Sequence, residues 1–220
     1  MDHRSQALRL IEYLDSQPRF SIQEQSEGTY DHMGATIADA ILQAGTTYAT
    51  VVRPRVKTIL ERYPAARTTT AFIELLNTVG AKTVLNWADD EKPNRVVALA
   101  SFLHAQAIDT EEDLRQWLSN DDNHAKIQTL KGVGPKTADY LRMLVQHQTT
   151  AVDRHAYRLL EEAGLGKLRY EDARAILDAS ADTLGVERTT FDYSVWLFMS
   201  QRRKRRPSHA PSAPGGVSEA

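Results

Sequence analysis

Apolar side chains recur along most of this chain at the three- and four-residue spacing of helices that bury one side. Residues 35–44 read ATIADAILQA, with Ile37, Ile41 and Leu42 at that spacing. The stretch 54–63 repeats the pattern with Val56, Ile59 and Leu60, and Pro54 suits a first helical turn. Residues 70–77 and 93–106 follow, the latter stacking Val96, Val97, Leu99, Ala100 and Leu103 behind another proline. Thr110 with Asp113 three positions later resembles a capping box opening a helix over 111–118. Helices over 124–130 and 136–146 flank a glycine-rich break, and 154–163, 170–184 and 189–200 complete the series. No stretch alternates apolar and polar residues well enough to be a strand. The only β-like piece is 149–152, TTAV, which reads as an extended connection between helices. There is no internal repeat. The pattern predicts an all-α protein.

Composition narrows this picture. The chain has 220 residues, of which 41% are hydrophobic, enough for one large core or two small ones. No apolar run approaches the length that spans a bilayer, so no membrane partner is expected. The start, MDHRSQALRL, lacks the apolar core and small-residue cleavage site of a secretory signal. The expected location is the cytoplasm, with nucleoid association if the source is bacterial. There is no cysteine, which excludes disulfides, thiolate zinc sites and a cysteine-ligated iron–sulfur cluster. Net charge is −2, but it is unevenly spread. Residues 201–220 hold Arg202, Arg203, Lys204, Arg205 and Arg206 against Glu219, so the remaining body is more acidic than the total. An acidic body does not coat a polyanion broadly. Contact with nucleic acid must run through a defined local motif. The tail 201–220, basic and then rich in Pro, Ser, Gly and Ala, is expected to be disordered.

The most informative segment is LKGVGPKTA, Leu130 to Ala138. Two glycines, Gly132 and Gly134, bracket Val133 between two helices, and Pro135 suits the first turn of the second. The amides around Val133 and Gly134 then sit at a helix N-terminus, where an anion such as a DNA phosphate is favoured. Val133 would pin the two helices together. A glycine-capped helix end followed by a new helix explains a lone GxG equally well. The full pattern L-x-G-V-G-x-K-T-A between helices favours phosphate binding.

This segment resembles the hairpin signature of the helix-hairpin-helix DNA glycosylases of the endonuclease III superfamily. A second segment, AVDRHAYR from Ala151 to Arg158, resembles that family's V-D-x-H-x-x-R and follows after one helix. The resemblance is clearest from residue 130 to 160. It implies two helical lobes flanking a DNA-binding cleft. Residues 36–148 would form a helical barrel ending in the hairpin, and 1–35 would pack with 149–200 as the second lobe. It implies a base-excision-repair DNA glycosylase that cleaves the N-glycosidic bond of a damaged or mismatched base. Lys136 stands where the family's lysine attacks the sugar, and Asp153 where its essential aspartate stands. Strand nicking (AP lyase activity) would follow through a lysine Schiff base. DNA contacts would come from Lys131, Gly132, Val133, Gly134 and Thr137. His155 and Arg158, three apart on one helix, would buttress Asp153, touch phosphate or form a packed surface pair. Gln43 lies where the family often places a residue that fills the gap left by a flipped base. The partner would be duplex DNA carrying a lesion or abasic site, bound by a monomer. No cofactor is implied, since many relatives' four-cysteine iron–sulfur module is missing here. The hairpin leaves room for a monovalent cation.

The chemistry stands on its own terms. Breaking a base–sugar bond develops positive charge on the sugar, which a carboxylate stabilises. A neutral lysine amine can displace the base and form a Schiff base at C1′. The base must first leave the stack. Asp153 would equally serve as an N-cap, and a lysine at a helix start is ordinarily exposed. Two other readings remain: a monofunctional glycosylase in which Asp153 activates water, and a non-catalytic hairpin module that only binds DNA.

Overall fold

The computed structural model describes residues 2–24 and 28–203, and they contain helices, turns and extended connections but no strand. In chain order the helices are α1 (His3–Asp15), α2 (Met33–Leu42), α3 (Arg53–Arg62), α4 (Thr69–Val79), α5 (Ala81–Leu85), α6 (Glu91–Ala105), α7 (Glu111–Leu118), α8 (Asp121–Ile127), α9 (Pro135–Leu144), α10 (Arg154–Glu162), α11 (Tyr170–Leu184) and α12 (Arg188–Arg203). A π-helical turn, Tyr48–Val52, precedes α3.

The buried apolar side chains fall into two clusters. One runs from Met33 to Val145 and is built from α2 to α9. The other joins Leu10 and Leu14 of α1 to residues of α10, α11 and α12. Because Met33 and Ala35 belong to the first cluster, that core begins before residue 36.

Helix α2 is the axis of the first cluster. All ten of its residues are buried, so it is a core helix rather than an amphipathic one. Its small side chains let neighbours close in on every side. A Cβ on Gly34 would lie 2.7 Å from Phe72 Cδ2 and 3.1 Å from the Ala66 carbonyl oxygen. Its start is tied down from outside. Glu111, the first residue of α7, accepts from the amides of Asp31 and His32 and from the Thr36 hydroxyl.

Several local readings meet the structure directly. The capping box at Thr110 and Asp113 is formed, with N–H···O distances of 3.1 and 2.9 Å. Helix α8 starts three residues earlier than the apolar pattern suggests, because Asn120 caps it by accepting from the Asp122 amide. Helix α1 is an addition. Its Ala7, Leu10 and Leu14 repeat at helical spacing, and it packs along α11.

The basic tail also needs a correction. Helix α12 runs on to Arg203. Arg202 donates to Glu162 Oε2 at 2.7 Å and stacks over Phe198 at 5.2 Å, so it belongs to the second cluster rather than to a free tail. The rest of the tail, from residue 204, lies outside the described residues.

Candidate active site

The hairpin positions the first functional side chain. Val133 is buried in the first core and its amide donates to the Leu130 carbonyl at 3.0 Å, closing the turn. Its two glycines do different work. Gly132 has φ +87°, a left-handed conformation that favours glycine. Gly134 is extended, and a Cβ there would meet nothing within 4 Å. No side chain caps α9, so its first amides point outward at the positive end of the helix dipole. Lys131 is exposed beside them, whereas Thr137 is buried and offers its backbone.

Lys136 stands in the first turn of α9, half-buried, and donates to Gln43 Oε1 at 2.6 Å. Burial pulls its pKa down; the carboxylates of Asp153 and Asp192 oppose the shift, and Arg154 adds to it. Gln43 is nine-tenths buried at the C-terminus of α2, and its amide nitrogen is enclosed with no acceptor among the described residues. It is therefore a direct neighbour of Lys136 rather than a side chain projecting from the surface. Lys92 secures that end of α2 by donating to the carbonyls of Ile41, Leu42 and Ala44 at 2.9, 3.0 and 2.5 Å. Burial brings its pKa down to about 8.

One helical turn from this pair lies a second polar rung. Asp39 precedes Gln43 by four residues on α2, and Tyr140 follows Lys136 by four on α9. Asp39 is fully buried and accepts from the hydroxyls of Tyr30, Tyr48 and Tyr140 at 2.6, 3.2 and 3.2 Å. Burial, with the charge of Asp39 behind it, drives the Tyr30 and Tyr140 pKa values far up, so both remain donors. Tyr48 opens the π-helical turn, and that turn carries its ring back to α2. Three tyrosines around a buried carboxylate went unanticipated in the sequence. The available signal was the matched i,i+4 spacing on two helices.

Asp153 arrives from the second core. Its Oδ1 accepts from the amides of His155 and Ala156 at 2.7 and 3.0 Å, so it is the N-cap of α10. The segment before it, 149–152, is extended without being a strand. Side chains of α11 and α12 hold it instead: Thr150 donates to Asp178 at 2.9 Å, and the Ala151 amide donates to Asp192 at 3.0 Å. Asp192 is a third acid that the sequence did not single out. It is partly exposed, and burial pushes its pKa up to about 7 against the Ala151 amide, with Asp153 adding to the rise.

The two cores are bolted together next to this site. Asp139, three residues after Lys136 and fully buried, accepts from Tyr170 at 2.8 Å and from Arg174 at 3.0 Å, both on α11. His124 Nε2 lies 3.0 Å from the same carboxylate. Of the remaining sequence candidates, Arg158 is exposed and paired with Glu162 at 2.9 Å, not with His155. His155 follows Asp153 on the first turn of α10, partly exposed. A separate crevice of about 310 Å³ is lined by Arg142, Arg174 and Arg188. Those arginines are already paired with Asp121, Asp139 and Asp182, and Lys136 and Asp153 do not line it.

What the arrangement offers chemically is a half-buried amine whose pKa burial lowers, two carboxylates whose charge acts on it, and an uncapped helix start at its base. A family model described as "Domain of unknown function (DUF8548)" matches residues 9–200. No curated protein matches the chain by sequence. Among solved structures, the H. pylori 3-methyladenine DNA glycosylase (MagIII) bound to 1,N6-ethenoadenine is similar, with a TM-score of 0.61 at 15% identity, over 92% of this chain and 99% of that one. The Methanocaldococcus jannaschii 8-oxoguanine DNA glycosylase (MjOgg) has a TM-score of 0.50 at 14% identity, over 90% of this chain and 87% of that one. The fold is the all-helical fold of these glycosylases.

Proposed function

We propose that this chain, which belongs to the family described as "Domain of unknown function (DUF8548)", is a DNA glycosylase that removes a damaged or mismatched base and nicks the strand through Lys136. The observation that carries the reading is the half-buried Lys136 amine, its pKa lowered by burial, in the first turn of α9 with Asp153 near enough to act on its charge. The DNA glycosylase fold supports it.

In this reading a duplex lies across the hairpin as a monomer binds it. The amides opening α9 receive a phosphate, and Lys131 adds a cation at the same edge. The target nucleotide swings out so that its C1′ reaches Lys136. Asp153, fixed as the N-cap of α10, supplies negative charge where the sugar becomes cationic. Lys136 attacks C1′, the base leaves with the bonding electrons, and the Schiff base that follows permits elimination of the 3′ phosphate. The reaction needs only the nucleophile and the carboxylate, so no cofactor enters it. His155 buttresses the Asp153 turn, and Arg158 stays on its surface pair.

The test is reductive trapping. The protein incubated with an abasic-site duplex and borohydride should form a covalent adduct, and Lys136→Gln should form none while still binding the duplex. An adduct retained in Lys136→Gln would move the nucleophile elsewhere, with Lys92 the first amine to examine. No adduct from the unaltered protein would favour a glycosylase that activates water instead.

A further inference from the structure

We propose that Gln43 is the positioning residue of the nucleophile: its carboxamide oxygen takes one N–H of Lys136 and so fixes where the amine's lone pair points, without bringing a charge to it. The inference rests on the glycosylase–lyase reading above and adds a residue to it.

The contact is direct. Lys136 Nζ donates to Gln43 Oε1 at 2.6 Å, and that oxygen is the only hydrogen-bond acceptor the amine has among the described residues. The Lys136 ammonium only donates, so the oxygen of the carboxamide, not its nitrogen, faces it. The nitrogen is then enclosed with no acceptor among the described residues. A buried N–H without a partner costs stability. What the carboxamide offers here that an apolar side chain of the same size does not is its oxygen.

Both ends of the contact rest on fixed backbone. Gln43 is nine-tenths buried at the end of α2, and its own amide donates to the Asp39 carbonyl at 3.2 Å. Lys92 holds the carbonyls of Ile41, Leu42 and Ala44 on either side of it. Four residues along each helix, the Tyr140 hydroxyl donates to Asp39 at 3.2 Å and keeps α9 in register with α2.

A lysine amine rides on a flexible stem and turns freely about its last bond. In the neutral form it has two N–H groups and one lone pair. With one N–H on Gln43, the lone pair is left two staggered directions instead of three, at a nitrogen whose place is set. Alignment of this kind contributes directly to rate. A carboxylate in the same place would align the amine too, but it would favour the ammonium, which has no lone pair. The charges that act on Lys136 are those of Asp153, Asp192, Arg154 and Lys92, and Gln43 adds none.

One acceptor suffices through the whole reaction. On an abasic site, whose C1′ is an aldehyde, the Lys136 ammonium first gives a proton to water. The amine nitrogen bonds to C1′ as the carbonyl electron pair moves to oxygen. One nitrogen-bound proton passes to that oxygen, giving a carbinolamine. Its hydroxyl leaves as water with a proton from solvent, and the protonated imine remains. The nitrogen keeps one N–H throughout, and Gln43 Oε1 holds it.

The experiment measures single-turnover trapping with cyanoborohydride on an abasic-site duplex at saturating protein, from about pH 6 to about pH 9. Duplex affinity is read separately by fluorescence anisotropy, and folding by a melt. Gln43→Met keeps length and bulk but has no carboxamide oxygen. It should trap at least roughly 10-fold more slowly at every pH, with unaltered affinity. Gln43→Glu restores the oxygen and adds a charge. Its rate should climb with pH over a range about one unit higher than the unaltered protein's, and approach that protein's rate at the high end. An unaltered rate in Gln43→Met, with Lys136→Gln inactive, overturns the proposal and leaves the lyase reading standing. Faster trapping by Gln43→Met at low pH also overturns it, because Gln43 would then only hold the amine's proton. So does a loss of affinity with an unaltered rate at saturation, which would make Gln43 a DNA contact. Should Gln43→Met not fold, an unshifted pH profile in Gln43→Glu overturns it. No adduct from the unaltered protein at any pH overturns both.

Discussion

Lys136 has a sealed side and an open side, and the two are built on opposite principles. On the sealed side α2 and α9 face each other across Gln43–Lys136 and Asp39–Tyr140, and the Asp39 carboxylate is satisfied by three hydroxyls with no exposure. On the open side Asp153 and Asp192 are partly exposed: Asp153 accepts from two amides of the helix it caps, and Asp192 from the single Ala151 amide of a neighbouring segment. Saturated hydrogen bonding makes a buried charge rigid and chemically inert. Spare lone pairs near solvent keep a carboxylate able to act, at some cost in stability. The amine sits where the rigid side fixes its position and the open side sets its chemistry.

The comparison is tested most severely at Asp153. Asp153→Asn keeps the shape and the capping oxygen but removes the charge, so the helix should survive and base excision should not. Stabilisation of this kind is worth about 3–4 kcal/mol, or roughly 10²–10³ in rate. Single-turnover excision on a lesion the protein accepts measures it, with the melting temperature as control. On an abasic duplex, where no base must leave, the variant should keep part of its nicking activity through Lys136. Excision at the unaltered rate would place the stabilising charge elsewhere.

The sealed side should respond in the reverse sense. Asp39→Leu removes the acceptor of three tyrosine hydroxyls in a site with no exposure. Unmade bonds of this kind cost about 1–3 kcal/mol each, and partial relaxation brings the expected loss to about 3 kcal/mol in a denaturant melt. Trapping per folded molecule should fall far less than for Asp153→Asn does in excision. An unchanged melt would mean the tyrosines find other acceptors.

How far each side can be read from sequence follows from how far apart its parts lie in the chain. The hairpin is readable because Leu130 to Ala138 carry the turn, the helix start and the lysine in one stretch, and Asp153 because its capping partners are His155 and Ala156. The Asp39–Tyr140 contact spans 101 positions and the Asp192–Ala151 contact 41, so only folding reveals them. The all-helical character follows from local periodicity, but α2 shows its limit. Three apolar positions suggest one buried stripe, whereas Gly34, Ala35 and Ala40 let the whole circumference be covered. The TTAV segment shows another limit. Its β-branched residues do favour an extended backbone, but α11 and α12 supply its hydrogen bonds, so no strand forms.

The stability cost of the open side is itself measurable. The Asp192 carboxyl prefers its protonated form in the fold, with a pKa of about 7, against an ordinary 3.8 when unfolded. It therefore opposes folding increasingly as pH rises from about 4 to about 7, and by its full amount above that. Three pKa units correspond to roughly 4 kcal/mol. Because the side chain is partly exposed, we expect about half of that. Asp192→Asn should raise stability by about 2 kcal/mol at pH 8 and by little at pH 4.5, in urea melts at the two pH values. A gain independent of pH would show that Asp192 does not titrate in this range.

The smallest effects should separate the two hairpin glycines, whose backbone settings differ. Gly132 has φ +87°, and a Cβ there would also fall 2.4 Å from the Arg95 Nε, the flexible end of a side chain that can move away. The backbone strain cannot move away, so Gly132→Ala should cost about 1–2 kcal/mol in a melt. Gly134 is extended with nothing within 4 Å of a Cβ, so Gly134→Ala should leave the melt within about 0.5 kcal/mol. Its space lies over the uncapped amides that open α9, where a phosphate would sit. A methyl group there should weaken binding of duplex DNA by a small factor, alike for every sequence, because phosphate contacts carry no base information. Fluorescence anisotropy on two unrelated duplexes reads this directly. If Gly134→Ala melted and bound as the unaltered protein does, and Gly134→Val did so too, the duplex would not approach this turn, and the open side of Lys136 would have to meet DNA from the Asp153 edge alone.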